Sequence, residues 1–185
     1  MFTFVSGGLR SGKSDYALRR ASELGPPPWL YVAPEVEGDE DLKSRLARHR
    51  RDQDAIWRVK DSPPRLEDAL GIDLVAGHGA MVLDRFSVWL SGRLTAVPSP
   101  SDDRGLLDEV ERLSDRLYRC PVPVVLVTAE VGLGFLPVSS TLAPVPGANA
   151  PDRRLVNILG IANQILAERA QSVVFMVSGV AQRLR

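Results

Sequence analysis

Eight residues near the start of the chain, Gly7-Gly8-Leu9-Arg10-Ser11-Gly12-Lys13-Ser14, constrain the fold more than any other feature. They match G-x-x-x-x-G-K-[ST] at every fixed position. The context also fits. Phe2–Ser6 is a short apolar run expected to be a buried strand, and Lys13–Leu24 carries Tyr16, Ala17, Ala21 and Leu24 at helical spacing. A strand that turns sharply into a helix aims backbone N–H groups inward, with Gly7 and Gly12 allowing the curl. The helix N-terminus adds partial positive charge at the same point. All eight residues are therefore expected to cradle the phosphates of ATP or GTP. Lys13 is expected to reach the β- and γ-phosphates, and the Ser14 hydroxyl to ligate Mg²⁺.

Downstream, apolar runs and helical stripes alternate. Strands are expected at Trp29–Ala33, Trp57–Lys60, Ala80–Asp84, Val122–Thr128 and, as the last one, Val173–Val177. Helices are expected at Gly38–Gln53, Leu66–Leu70, Phe86–Thr95, Leu106–Arg119 and Leu155–Arg169. Val97–Asp103 reads as a loop, and so does Pro137–Pro151 with its four prolines. No internal repeat is evident. This alternation predicts one α/β domain over 1–185, a P-loop NTPase of the RecA-like kind with a mostly parallel central sheet flanked by helices.

Composition narrows the function classes. Lys plus Arg and Asp plus Glu each number 23, so there is no global field to attract nucleic acid. The single cysteine, Cys120, excludes an intrachain disulfide and a CxxC zinc site, and it reads as a buried small apolar residue. No apolar run reaches the length of a membrane span. The opening MFTFVSGG lacks a charged leader region, so a cytoplasmic protein is expected.

Asp84 follows the apolar run Met81-Val82-Leu83, at a strand end where parallel sheets bind ligands. It is the expected second Mg²⁺ anchor, the alternative being a cap for the next helix. Residues 35–51 segregate acids before bases, which complements a helix dipole and also suits a basic phosphate groove. Within that helix Leu42, Leu46 and His49 fall within roughly 60° of one another. Taken alone, this pattern favours a core histidine over a catalytic one.

The chain resembles the bifunctional adenosylcobinamide kinase / adenosylcobinamide-phosphate guanylyltransferase family of cobalamin biosynthesis. Gly7–Ser14 resembles the family's G-G-x-R-S-G-K-S, and Arg45-Leu46-Ala47-Arg48-His49 with Trp57 resembles its R-I-x-x-H…W segment. Asp84, Ser87 and Trp89 resemble its strand-end acid and T-x-W turn. Val127-Thr128-Ala129-Glu130-Val131-Gly132-Leu133-Gly134 with Pro137 resembles V-x-N-E-V-G-x-G-x-x-P, and Gly160 with Asn163-Gln164 resembles G-x-x-N-Q. Ser178-Gly179 resembles the end of its final strand. The likeness runs through nearly the whole chain in order.

The resemblance implies phosphoryl transfer to the hydroxyl of adenosylcobinamide's aminopropanol arm, followed by transfer of GMP from GTP to that phosphate. It implies a guanylyl-histidine at His49, which reverses the reading of that residue from its pattern alone. It makes Glu130 a candidate contact for nucleotide or metal, beside the alternative of a turn carboxylate. It also implies a homotrimer. The sequence departs from the family pattern at Gln53-Asp54, Gly92, Ala129 and Leu155-Val156-Asn157. Those departures keep two other readings open: a P-loop kinase acting on another small alcohol, and a nucleotide-binding regulatory subunit without activity.

Overall fold

The structure, a computed structural model, describes residues 1–34, 39–48, 56–96, 103–131 and 150–185. Its strands are β1 (Phe2–Gly7), β2 (Trp29–Ala33), β3 (Trp57–Asp61), β4 (Ala80–Leu83), β5 (Val124–Val127), β6 (Ser172–Val177) and β7 (Val180–Arg183). Its α-helices are α1 (Lys13–Leu24), α2 (Glu40–Arg48), α3 (Ile72–Val75), α4 (Phe86–Ala96), α5 (Asp103–Arg119) and α6 (Ala150–Arg169), with a 3₁₀ turn at Leu66–Leu70.

The strands form one sheet in the order β3-β2-β4-β5-β1-β6-β7. Every neighbouring pair is parallel except β6 with β7. Four inner strands are buried throughout, which is why β1, β2, β4 and β5 read as unbroken apolar runs rather than alternating ones. Strand pleating divides their side chains between two cores. Phe2, Phe4, Leu30, Val32, Met81, Leu83, Val124 and Leu126 face one core with α4, α5, α6 and the 3₁₀ turn. Val5, Tyr31, Ala33, Val82, Val125 and Val127 face the other with Ala17, Leu18 and Ala21 of α1 and Leu42 and Leu46 of α2. The result is a three-layer sandwich, the layering expected of alternating strands and helices.

Several expectations need correction. Val173–Val177 is not the last strand, because Ser178 and Gly179 both take positive φ and turn the chain into β7. Such a two-residue turn matches the twist of a hairpin. All four residues of β7 are exposed, so no apolar alternation announces it. Helix α6 begins at Ala150, five residues before Leu155, and takes Pro151 into its first turn, where a missing N–H costs nothing. Asp103 belongs to α5, and it pairs with Arg154 of α6. Leu66–Leu70 is a 3₁₀ turn, followed by the unexpected short helix α3. The rest of the two expected loops, residues 97–102 and 137–149, lies outside the described residues. Cys120 is buried as expected, and burial pushes its thiol pKa up.

Gly7 sits against β6, paired with Met176. A Cβ there would lie 2.4 Å from the Met176 carbonyl oxygen, and its φ is +153°. A Cβ at Gly8 would meet nothing within 4 Å. Gly7→Ala should therefore cost more than about 2 kcal/mol of stability, whereas Gly8→Ala should stay within about 0.5 kcal/mol. Urea midpoints of the two variants check the contrast.

Candidate active site

The chain leaves β1 at Gly7 and enters α1 at Lys13 through a loop whose backbone is left-handed at Arg10 (φ 54°) and Gly12 (φ 89°). Alternating handedness of this kind turns successive N–H groups toward one concavity. Arg10 pays for it, since a non-glycine left-handed residue costs on the order of 1–3 kcal/mol. Three contacts hold the loop. The Gly179 N–H of the β6–β7 turn donates to the Ser11 carbonyl at 3.0 Å, the Glu130 N–H donates to the Gly7 carbonyl at 3.0 Å, and the Ser11 N–H donates to the Gly8 carbonyl at 3.3 Å. The Lys13 ammonium donates to the Gly8 carbonyl at 2.6 Å. Burial lowers the pKa of Lys13, and the charge of Asp84 opposes that shift.

Asp84 lies just past β4 and is buried. The Tyr31 hydroxyl donates to its Oδ2 at 2.8 Å, and the Arg85 N–H donates to its Oδ1 at 2.7 Å. Tyr31 is itself fully buried. Burial first, then the Asp84 charge and hydrogen bond, push its pKa far above the usual phenol range. Tyr31 therefore stays a proton donor, and Asp84 is the acceptor it orients.

Arg85 follows at φ 59°, a left-handed non-glycine. Its guanidinium donates to the Pro34 carbonyl at 3.2 Å and pairs with the Asp39 carboxylate. Asp39 also caps α2, accepting from the Leu42 N–H at 2.8 Å. The Leu42 amide and then the Arg85 guanidinium hold the Asp39 carboxyl below its usual range. Farther along α2, Arg45 pairs with Asp41 and comes within 4.0 Å of Asp15.

These elements enclose a cleft of about 530 Å³ beside the C-terminal ends of β1, β4 and β5. Leu9, Arg10, Ser11, Gly12, Lys13 and Ser14 line one side, Asp84, Arg85, Ser87 and Val88 another, and Asp41 and Arg45 a third. Val127, Thr128 and Ala129 close it. Asn163 of α6 supports that last edge, bonding the Thr128 hydroxyl at 3.0 Å and the Ala129 carbonyl at 3.1 Å. The cleft combines loop amides, the Lys13 ammonium, the Ser14 hydroxyl and the buried Asp84 carboxylate, a set suited to a polyphosphate with a cation bound mainly by phosphate and water. Among the described residues, no cluster of three or more His, Cys, Asp or Glu side chains could hold a metal ion alone.

The structure thus brings Leu9–Ser14 and Asp84 together. Gly7 and Gly8 shape the loop from outside the lining. Glu130 meets the loop through its backbone, and the lining stops at Ala129 before it. His49, Gln53 and Asp54 lie outside the described residues. Leu42 and Leu46 are buried, so the apolar face read from the helix pattern is the inward one. Val156 is half-buried on α6. Three residues were not anticipated: Tyr31, Arg85 and Asp39. The one sequence signal for the first was a tyrosine, with its hydroxyl, inside the otherwise apolar run of β2.

Comparison with known proteins agrees with this geometry. A family model described as cobinamide kinase / cobinamide phosphate guanyltransferase matches residues 3–184. The bifunctional adenosylcobalamin biosynthesis protein CobP of Pseudomonas aeruginosa is 33% identical over 186 residues, covering 100% of this chain and 98% of that one. The bifunctional adenosylcobalamin biosynthesis protein CobU of Salmonella typhimurium is 30% identical over 194 residues, with 100% of both chains covered. A solved ATPase domain superposes with a TM-score of 0.51 at 12% identity, over 94% of this chain and 68% of that one. At that identity it supports the P-loop NTPase fold alone.

Tyr31→Phe removes the hydroxyl that donates to a buried carboxylate. It should cost about 1.5–3 kcal/mol, the range for hydrogen bonds to charged groups. Equilibrium unfolding in urea measures this, and a loss below about 0.5 kcal/mol, the scale of a surface change, would contradict the buried contact.

Proposed function

This chain belongs to the cobinamide kinase / cobinamide phosphate guanyltransferase family, and we propose from that premise that it catalyses both reactions in adenosylcobalamin biosynthesis. It phosphorylates the hydroxyl of the adenosylcobinamide side arm with a nucleoside triphosphate. It then moves GMP from GTP onto the new phosphate and releases pyrophosphate. The observation that carries this reading is the convergence of Lys13, Ser14 and Asp84 on one cleft beside the strand ends.

In the first reaction the loop amides and Lys13 hold the triphosphate tail and take up charge as it redistributes over the phosphoryl oxygens. Ser14 and Asp84 would hold Mg²⁺, which supplies charge neutralisation at the phosphates. Tyr31 fixes the Asp84 carboxylate in the orientation this requires, through its 2.8 Å hydrogen bond. In the second reaction the His49 imidazole attacks the α-phosphorus of GTP. A P–N bond forms, the bond to the pyrophosphate oxygen breaks, and pyrophosphate leaves while the imidazole gives up its proton. The corrinoid phosphate then attacks the same phosphorus and frees the histidine. Glu130, at the rim where its N–H meets Gly7, is a further candidate contact for the nucleotide. A cytoplasmic homotrimer completes the reading.

The test incubates the protein with Mg²⁺ and GTP labelled at the α-phosphate, with and without adenosylcobinamide. Protein-bound label that is acid-labile and base-stable, absent from His49→Ala, is expected. Adenosylcobinamide phosphate should form even in His49→Ala. No corrinoid phosphate with either ATP or GTP would overturn the kinase reading, and label retained in His49→Ala would overturn the histidine assignment. Asp84→Asn should raise the Mg²⁺ concentration for half-maximal activity by roughly 10–100-fold.

A further inference from the structure

We infer that the β6–β7 turn positions the phosphate loop: the Gly179 amide holds the Ser11 carbonyl outward, aims the Gly12 N–H into the cleft, and so sets the affinity for a polyphosphate. This rests on the reading of Gly7–Ser14 as the phosphate cradle. The hairpin itself lends no residue to the cleft lining. Instead it backs the loop from behind. Gly7 is paired with Met176 of β6, and a Cβ at Gly7 would lie 2.4 Å from the Met176 carbonyl oxygen. A Cβ at Gly12 would lie 3.4 Å from the Gly179 Cα. Between those two points the Gly179 N–H donates to the Ser11 carbonyl at 3.0 Å. The peptide joining Ser11 to Gly12 is planar and trans, so its C=O and N–H point in opposite directions. Fixing the Ser11 oxygen against the turn therefore sends the Gly12 N–H the other way. Gly12 lines the cleft, and among the described residues no backbone carbonyl accepts from its N–H.

The turn can bear on the loop because it is itself held firmly. Ser178 (φ 49°) and Gly179 (φ 84°) are both left-handed, the conformation of a two-residue hairpin turn that follows strand twist. The β6–β7 ladder runs from Val177 beside Val180 back to Val174 beside Arg183. Beyond it the Leu184 N–H donates to the Val173 carbonyl at 2.8 Å, and the Val173 N–H donates to the Arg185 carbonyl at 3.1 Å. The Arg185 guanidinium then donates to the Ala167 and Glu168 carbonyls, each at 3.1 Å. Those carbonyls lie in the last turn of α6, where no intrahelical partner remains for them. Strand β7 adds little apolar burial, since its four residues are exposed and none joins either core. Its contribution is the ladder that stiffens the turn. At Gly179 a Cβ would meet nothing within 4 Å. A side chain there acts through its backbone preference at φ 84°, not through collision.

The experiment titrates Mg·ATP and Mg·GTP into the wild type, Gly179→Asn and Gly179→Val. Asparagine tolerates a left-handed backbone and keeps the turn, whereas β-branched valine does not. The Kd should rise by roughly 10-fold in Gly179→Val, the scale of one lost hydrogen bond. In Gly179→Asn it should stay within about threefold of the wild type. A second measurement uses the wild-type chain alone, so it decides the matter even where Gly179→Val does not fold. By linkage, bound nucleotide must tighten the turn contact by the same factor as the contact tightens nucleotide binding. Hydrogen exchange at the Gly179 amide should therefore slow by roughly 10-fold under saturating nucleotide, with the Leu184 amide at the hairpin base changing by less than about twofold. If neither nucleotide binds the wild type, the phosphate-cradle reading itself fails. Where one binds, an unchanged Kd in Gly179→Val, an equal loss in both variants, or Gly179 exchange indifferent to nucleotide would overturn the positioning role.

Discussion

The whole site depends on how tightly the first strand can turn into the first helix. Gly7 has no room for a side chain against β6, Arg10 and Gly12 reverse the backbone handedness, and the Gly179 amide ties the Ser11 carbonyl in place. The loop is thus built from the outside inward. Its carbonyls at Gly7 and Ser11 are occupied by the Glu130 and Gly179 amides, and its carbonyl at Gly8 by the Ser11 amide and the Lys13 ammonium. The β6–β7 hairpin, which carries no cleft residue, takes part through one turn amide.

Around that loop the charges are arranged in pairs that restrain one another. Lys13 is partly desolvated, which weakens its hold on a proton, while Asp84 strengthens it. Asp84 takes hydrogen bonds from a buried phenol and from the next backbone amide, so its carboxylate is fixed on both oxygens. A carboxylate held so firmly loses little conformational freedom on meeting a ligand, which is the physical content of preorganisation. Arg85 extends the same restraint from the sheet to α2 through Asp39.

Local signals made the core of this readable from residues alone. The glycines, Lys13 and Ser14 lie within eight positions, and the buried inner strands of the parallel sheet announce themselves by apolar runs. What escaped notice depends on pairing across distance. Tyr31 reads as one more core residue until the β2–β4 register puts it beside Val82 and within reach of Asp84. Arg85 and Asp39 are two ordinary surface charges until the same register brings their segments together. Strand β7 escaped for the opposite reason: its residues are all exposed, so no buried pattern marks it, although Ser178-Gly179 is a turn signal. Helix α6 started early because Pro151, read as a loop residue, serves equally well in a first helical turn.

If loop amides and the Lys13 ammonium together clasp a triphosphate tail, titration calorimetry will register it. Mg·GTP and Mg·ATP should each be titrated into the wild-type protein and into Lys13→Ala. Saturable binding of at least one triphosphate to the wild type is expected, weakened by roughly 10–100-fold in Lys13→Ala through loss of a charge-assisted hydrogen bond. Equal affinity in both proteins, or no binding of either nucleotide to the wild type, would contradict it.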